Sequence, residues 1–388
     1  MFYRNLRNIL CLEDFEEEAK KHLPKPIFGY VSGATETNTS LKNNRKSFDE
    51  WVWLPRQLRN VSKRSTHTTI LGRKYSAPFG IAPMGITALT AYRGDIVLAT
   101  AAEDNGIPMV QSSSSLIALE DVIDAAPSTW FQLYLPKDLD SGIKMVERVA
   151  KSGCETLVLT VDSAVVPNRE NNIRNRFKTP LQPNFRLLLD GITHPRWALG
   201  TFLRTFIYHG VPHFENVGIE RGSALIAKNV ERDFSGREHI DWEMIKTMRS
   251  VWKKNLILKG ILHPNDASIA KKIGVDGIIV SNHGGRQLDG AISPLNVLER
   301  IRSTVGNDFL VMIDSGFRRG TDVLKAIALG ADFVFIGRPF NYAASIGGYN
   351  GVTHAINLMK SELHTDLGLL GINRIEEITK ELIEPYNY

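Results

Sequence analysis

His283 and Arg286 stand three residues apart in SNHGGRQLDG (281–290), on a glycine-rich loop where small neighbours leave both side chains accessible. An imidazole changes charge near neutral pH and suits acid/base work, while a guanidinium suits a carboxylate or phosphate. A carboxylate close by, such as Asp162, would orient the ring and stabilise its protonated form. The alternative is a structural histidine that merely caps the loop.

Two more glycine-rich turns, DSGFRRG (314–320) and IGRPF (336–340), present backbone N–H groups suited to an anion, with Arg318, Arg319 or Arg338 available to grip it. No metal is expected. His209 and His213 have helical ligand spacing, but Gly210 and Pro212 between them oppose the helix that would align them. SSSS (112–115) lacks the glycine-flanked elbow of a nucleophilic serine.

Positioning these groups requires strands whose ends converge. Short apolar runs recur as FGIAP (79–83), IPMVQS (107–112), WFQLY (130–134) and TLVLTVD (156–162), then LILKG (256–260), GIIVSN (277–282), FLVMID (309–314) and FVFIG (333–337). Between most of them lie amphipathic, glycine-terminated stretches such as LDSGIKMVERVAKSG, giving a β/α rhythm. Eight such units predict an α/β fold, a (β/α)8 TIM barrel, with an open doubly wound sheet as the competing arrangement. Gln132, Tyr134, Asp162, Lys259, His283 and Asp314 all fall where strands stop, and in a barrel those ends share one mouth.

The chain of 388 residues, 43% hydrophobic and 23% charged, is accommodated as one domain. A helical N-terminal extension covers residues 1–70, the barrel 71–388, and a long insert 163–240 follows the fourth strand. Cys11 and Cys154 form neither a zinc spacing nor a disulfide framework, which fits a reducing cytosol. No apolar run reaches membrane-spanning length and the start turns acidic early, so neither a span nor a secretory signal is expected. The net charge of +5 favours anionic partners, but the basic residues are scattered and match no nucleic-acid-binding pattern.

Taken in order, SNHGGRQLDG, DSGFRRGTDVLKAIALGADFVFIGRPF, YVSGA, NRKSFDEW and the FQLY and TVD strands resemble the FMN-dependent L-2-hydroxy-acid dehydrogenase and oxidase family. The likeness covers nearly the whole chain. It implies FMN as cofactor, His283 as the base, Asp162 as its partner, and Tyr134 on the substrate hydroxyl. Arg286, Arg169 and Tyr30 would hold the substrate carboxylate, Tyr30 aligning once one residue is deleted before Ser32. Lys259 would stabilise the reduced flavin ring. Pro83, Met84, Gly85, Ser112, Gln132, Thr160 and Ser281 would line or support the flavin, Asp314 its ribityl chain, and Gly316, Arg318, Gly337 and Arg338 its phosphate. Ser114 stands where glycolate oxidase carries a tryptophan, which enlarges or reshapes the pocket.

Within the insert, THPRWAL is similar to bacterial quinone-linked L-lactate dehydrogenase, so the resemblance implies L-lactate oxidation with a quinone or other respiratory acceptor, and a homotetramer. An oxygen-using oxidase, a dehydrogenase of larger acids such as mandelate, and a non-redox phosphate-ligand barrel are the alternatives. Trp197, Leu199, Phe202, Leu203, Phe206 and Ile207, interleaved with Arg186, Arg196 and Arg204, have the composition of an interfacial segment. The expected location is cytoplasmic, with peripheral attachment to the inner face of the cell membrane. A lid or subunit contact explains the same composition.

Overall fold

Each of the eight apolar runs forms a strand in the computed structural model, which describes residues 6–177, 190–226 and 237–386. The strands are β1 (Phe79–Ile81), β2 (Val110–Ser112), β3 (Trp130–Leu133), β4 (Thr156–Thr160), β5 (Asn255–Ile261), β6 (Gly277–Val280), β7 (Leu310–Ile313) and β8 (Phe333–Ile336). Neighbours pair in parallel in the order β1-β8-β7-β6-β5-β4-β3-β2. A parallel bridge between Ile81 and Met109 brings the two ends of this sheet together, so the strands form a barrel rather than an open sheet.

Period-two alternation explains why the runs read as continuously apolar. Val158, Ile257, Ile279, Met312 and Phe335 pack with one another in one cluster, while Leu157, Leu159, Leu256 and Leu258 join the larger cluster shared with the helices. Both faces are buried, so neither needs polar residues until the strand ends. Helices follow the strands: α1 (Gly94–Asp104), α2 (Leu119–Ala125), α3 (Leu139–Lys151), α4 (Trp242–Val251), α5 (Pro264–Ile273), α6 (Pro294–Val305), α7 (Gly320–Ala328) and α8 (Arg338–Leu370), the last interrupted at Gly348. Asp138 and Asp241 cap α3 and α4 by accepting backbone N–H bonds, and Gly274 ends α5 in the left-handed conformation.

N-terminal helices occupy Leu12–His22, Lys25–Ser32 and Thr39–Asp49, and the remainder of that region contributes short strands. Trp51–Trp53 pairs antiparallel with Ile383–Pro385, and a hairpin of Thr68–Ile70 and Arg73–Tyr75 sends Ile70 and Tyr75 into the interior cluster. Tyr75 meets Phe333 at the start of β8, so the hairpin plugs the end of the barrel opposite the polar strand ends.

Between β4 and α4, a helical stretch runs through Pro195–Trp197, Ala198–Leu203 and Arg204–His209. Trp197 corrects its place in the interfacial set: it is buried and its Nε1 donates to the carbonyl of Leu89 at 2.9 Å, anchoring the stretch to the β1–α1 connection. Leu199, Phe202, Leu203, Phe206 and Ile207 are exposed. Arg204 lies over the Tyr92 ring at 3.8 Å rather than standing clear of the protein. Arg186 lies outside the described residues. His209 ends its helix and His213 forms a bridge with Ala224 beyond it, so the two do not share a helical face.

Candidate active site

The C-terminal strand ends open into a cleft of about 370 Å³. Tyr30, Pro83, Met84, Gly85, Ser112, Tyr134, Thr160, Arg169, Lys259, His283, Arg286, Asp314, Gly316, Arg318, Gly337 and Arg338 line it. Asp162, Gln132 and Ser281 sit just behind this lining and hold members of it in place. Arg319 turns away, pairing with Glu362 at 2.9 Å, so that of the two arginines in this glycine-rich turn only Arg318 lines the cleft.

His283 Nδ1 lies 2.9 and 3.1 Å from the two carboxylate oxygens of Asp162. His283 occupies a left-handed backbone position with φ of 57°, and its backbone N–H donates to Ser281 Oγ. For a residue with a Cβ that conformation is uncommon and is maintained only by its surroundings. Burial pushes the ring below its ordinary value near 6.5, and the Asp162 charge offsets this only in part. Burial opposes ionisation of Asp162 as well, but His283 and Lys259 hold its carboxyl below the usual carboxylate range. The pair therefore rests near neutral pH as a carboxylate accepting from a neutral imidazole, with Nε2 left as the basic atom. Tyr134 Oη is 3.4 Å from that Nε2.

Lys259 is buried at the end of β5, bonded to Ser281 Oγ and Asp314 Oδ2, each at 2.9 Å. Burial alone would lower its pKa, but Asp314 and Asp162 raise it above the ordinary lysine value, so the ammonium stays charged. Ser112 Oγ donates to Gln132 Oε1 at 2.9 Å, while Gln132 Nε2 and Thr160 Oγ1 are buried without a hydrogen-bond partner. Such atoms carry a desolvation cost unless a ligand meets them.

Guanidiniums converge on the other side of the cleft. Arg286 donates to the carbonyls of Tyr30 and Gly33 at 2.9 and 2.8 Å and lies 5.0 Å over the Tyr30 ring. Arg338 donates to the carbonyls of Val31, Gly33 and Gly284. Burial, with Arg286 and Arg318 nearby, pushes Arg338 down to about 9. This concentration of positive charge held by neutral carbonyls is poised for anions. The N-terminal helix Lys25–Ser32 and the Gly33 that ends it supply all of these carbonyls except that of Gly284, and the helix is itself locked to the insert, where Asn171 Nδ2 donates to Gly29 O.

Residues 19–385 match the FMN-dependent dehydrogenase family. The chain belongs to that family. As a member it is an FMN-dependent enzyme that oxidises 2-hydroxy acids, and the unpartnered Gln132 and Thr160 atoms beside buried Lys259 fit a polar ring cofactor of this kind. It is 36% identical to (S)-mandelate dehydrogenase of Pseudomonas putida over 97% of this chain and 94% of that protein. It is equally 36% identical to an L-lactate dehydrogenase of Azorhizobium caulinodans, covering 95% and 96% of the two chains. Among solved structures, the monotopic membrane protein (S)-mandelate dehydrogenase superposes with a TM-score of 0.89 at 36% identity, covering 98% of this chain and 100% of that one.

This FMN-dependent dehydrogenase also places at its site residues that the motifs did not single out. Gln287 was within reach of sequence reasoning because it follows Arg286 in the same loop. Arg237 was not: it lies at the far end of the insert, and its guanidinium carbon sits 4.9 Å over the Tyr134 ring.

Proposed function

We propose that this enzyme oxidises L-2-hydroxy acids bearing a side chain larger than methyl, such as an aromatic one, to the 2-oxo acids. The observation that supports the reading is the His283–Asp162 pair facing the arginines across one cleft, whose wall beside Tyr30 includes the small residues Gly85 and Ser114. An ideal Cβ on Gly85 would already stand 3.0 Å from Ser114 Cβ, so this wall is built from a glycine and a serine. L-Lactate is the second reading, supported by the equal identity to an L-lactate dehydrogenase.

In this reading Arg286, Arg169 and Tyr30 hold the carboxylate and fix the α carbon relative to His283. Tyr134 meets the substrate hydroxyl. His283 Nε2 accepts one of the two protons the substrate loses, and Asp162 stabilises the resulting imidazolium. FMN, when bound, supplies the two-electron acceptor. Gln132, Thr160 and the Pro83–Gly85 segment would contact its ring, Lys259 would place a fixed cation beside it, and Asp314 would bond the ribityl chain. Arg318, Arg338 and the backbone around Gly316 and Gly337 would take the phosphate.

Anaerobic addition of L-mandelate and L-lactate to the yellow protein tests the reading. Bleaching of the flavin bands by mandelate at lower concentration than lactate is expected, and Ser114→Trp should reverse the preference. A flavin that neither acid bleaches would overturn it.

We also propose a quinone as electron acceptor and attachment to a membrane face through Leu199, Phe202, Leu203, Phe206 and Ile207. Their exposure, the net charge of +5 and the likeness to a protein described as monotopic support this. Among the described residues no helix is long and apolar enough to cross a membrane. Family likeness supports a homotetramer, which sedimentation would size.

A further inference from the structure

We infer that Gln287 is a positioning residue that holds Arg169 toward the substrate carboxylate without neutralising it. The inference rests on the reading of Arg169 as a carboxylate ligand. Gln287 lines the cleft, and Arg169 Nη2 donates to its Oε1 at 2.8 Å. On its other side, Gln287 Nε2 donates to the carbonyl of Asp162 at 2.8 Å and to Ser163 Oγ at 3.2 Å. Arg169 Nε donates to the carbonyl of Arg286 at 3.2 Å. One amide thus ties three parts of the site together: the arginine from the insert, the β4 end that carries the base's partner, and the loop that carries His283 itself.

Only a carboxamide fits both ends of this bridge. Its oxygen meets a guanidinium donor while its nitrogen meets a carbonyl acceptor, and it carries no charge. A glutamate in its place would present oxygen to the Asp162 carbonyl, pair ionically with Arg169 and repel an incoming carboxylate. A methionine of similar length would keep the arginine's charge but release its orientation. The glutamine therefore fixes direction and preserves charge together, and the two substitutions separate these contributions.

The test uses FMN-loaded Gln287→Glu and Gln287→Met enzymes, with pyruvate and benzoylformate as carboxylate probes titrated against the flavin spectrum, and steady-state KM and kcat for the better substrate. Both variants should retain flavin, since Gln287 touches none of the proposed phosphate or ring contacts. Gln287→Glu should weaken probe binding and raise KM by roughly ten- to a hundredfold, the scale of a lost charged hydrogen bond. Gln287→Met should do so by a smaller factor, roughly two- to tenfold. Parental probe affinities in both variants, or equal losses in both, would overturn the inference. Should Gln287→Glu fail to fold, Gln287→Met decides alone, with a raised KM and retained flavin in favour and parental KM against. Failure of the underlying reading is distinguishable because there an Arg169→Met enzyme would bind both probes as tightly as the parent.

Discussion

Gly260 makes room for Asp162: an ideal Cβ at position 260 would lie 2.6 Å from the Asp162 Cβ, and the glycine adopts φ of 107°. The register of β5 against β6 shifts there, between Lys259 and Ile261, so one irregularity serves both the lysine's direction and the carboxylate's seat. Gly260→Ala should therefore act twice, straining a left-handed backbone and displacing the partner of His283. We expect a loss of about 1–3 kcal/mol in denaturant unfolding, with turnover falling further than stability accounts for. Parental turnover in a folded Gly260→Ala enzyme would separate the carboxylate's position from catalysis.

His283→Gln should keep FMN and the fold while slowing anaerobic flavin reduction by about 10²- to 10⁴-fold, the usual contribution of a positioned base. Reduction at the parental rate would remove His283 from the reaction.

The pH profile follows from the pair's charges. In its proposed role as base His283 works when neutral, and burial lowers its pKa below about 6.5, so kcat/KM should be flat through neutral pH and fall only on the acid side, with its midpoint below that value. Asp162 raises the imidazole's pKa; Asp162→Asn should shift the acid limb to still lower pH while reducing the plateau, because the imidazolium loses its counter-charge. A limb that moves upward would contradict this assignment.

Asp95 at the start of α1 is fully buried beside Thr87 and Ser115, and burial raises its carboxyl to about 6. The folded protein thus holds this proton more tightly than the unfolded chain. The stability it contributes is complete below the ordinary carboxylate pKa and is lost as pH rises through about 6. Between pH 5 and pH 8 the parent should lose about 1 kcal/mol that Asp95→Asn does not, as read by urea unfolding at the two pH values. Identical pH slopes would show that another group dominates.

Exposed Phe206 and Ile207 give the membrane proposal its handle. The parent should float with anionic vesicles at low salt and be released by high salt, whereas Phe206→Ser with Ile207→Ser should remain soluble and still bleach its flavin with substrate. A parent that stays in the soluble fraction would return this face to a lid or subunit contact.

The sequence by itself determined the eight strands, the order of the barrel units and the cleft-facing residues at their ends. These rest on local patterns: apolar runs a few residues long, glycine-terminated helices, and polar residues where each run stops. Barrel closure was undecided at that level, because an open sheet uses the same runs; the Ile81–Met109 bridge decides it through residues whose pairing no local pattern encodes. The burial of Trp197 likewise depended on docking against Leu89, 108 positions away, and composition alone could not distinguish its indole from the exposed Phe206. So too with Gln287, Arg169 and Asp162: each is visible in its own motif, but their joint orientation exists only once the insert, β4 and the β6 loop are folded against one another, since hydrogen-bond geometry is set by three-dimensional proximity rather than by spacing along the chain.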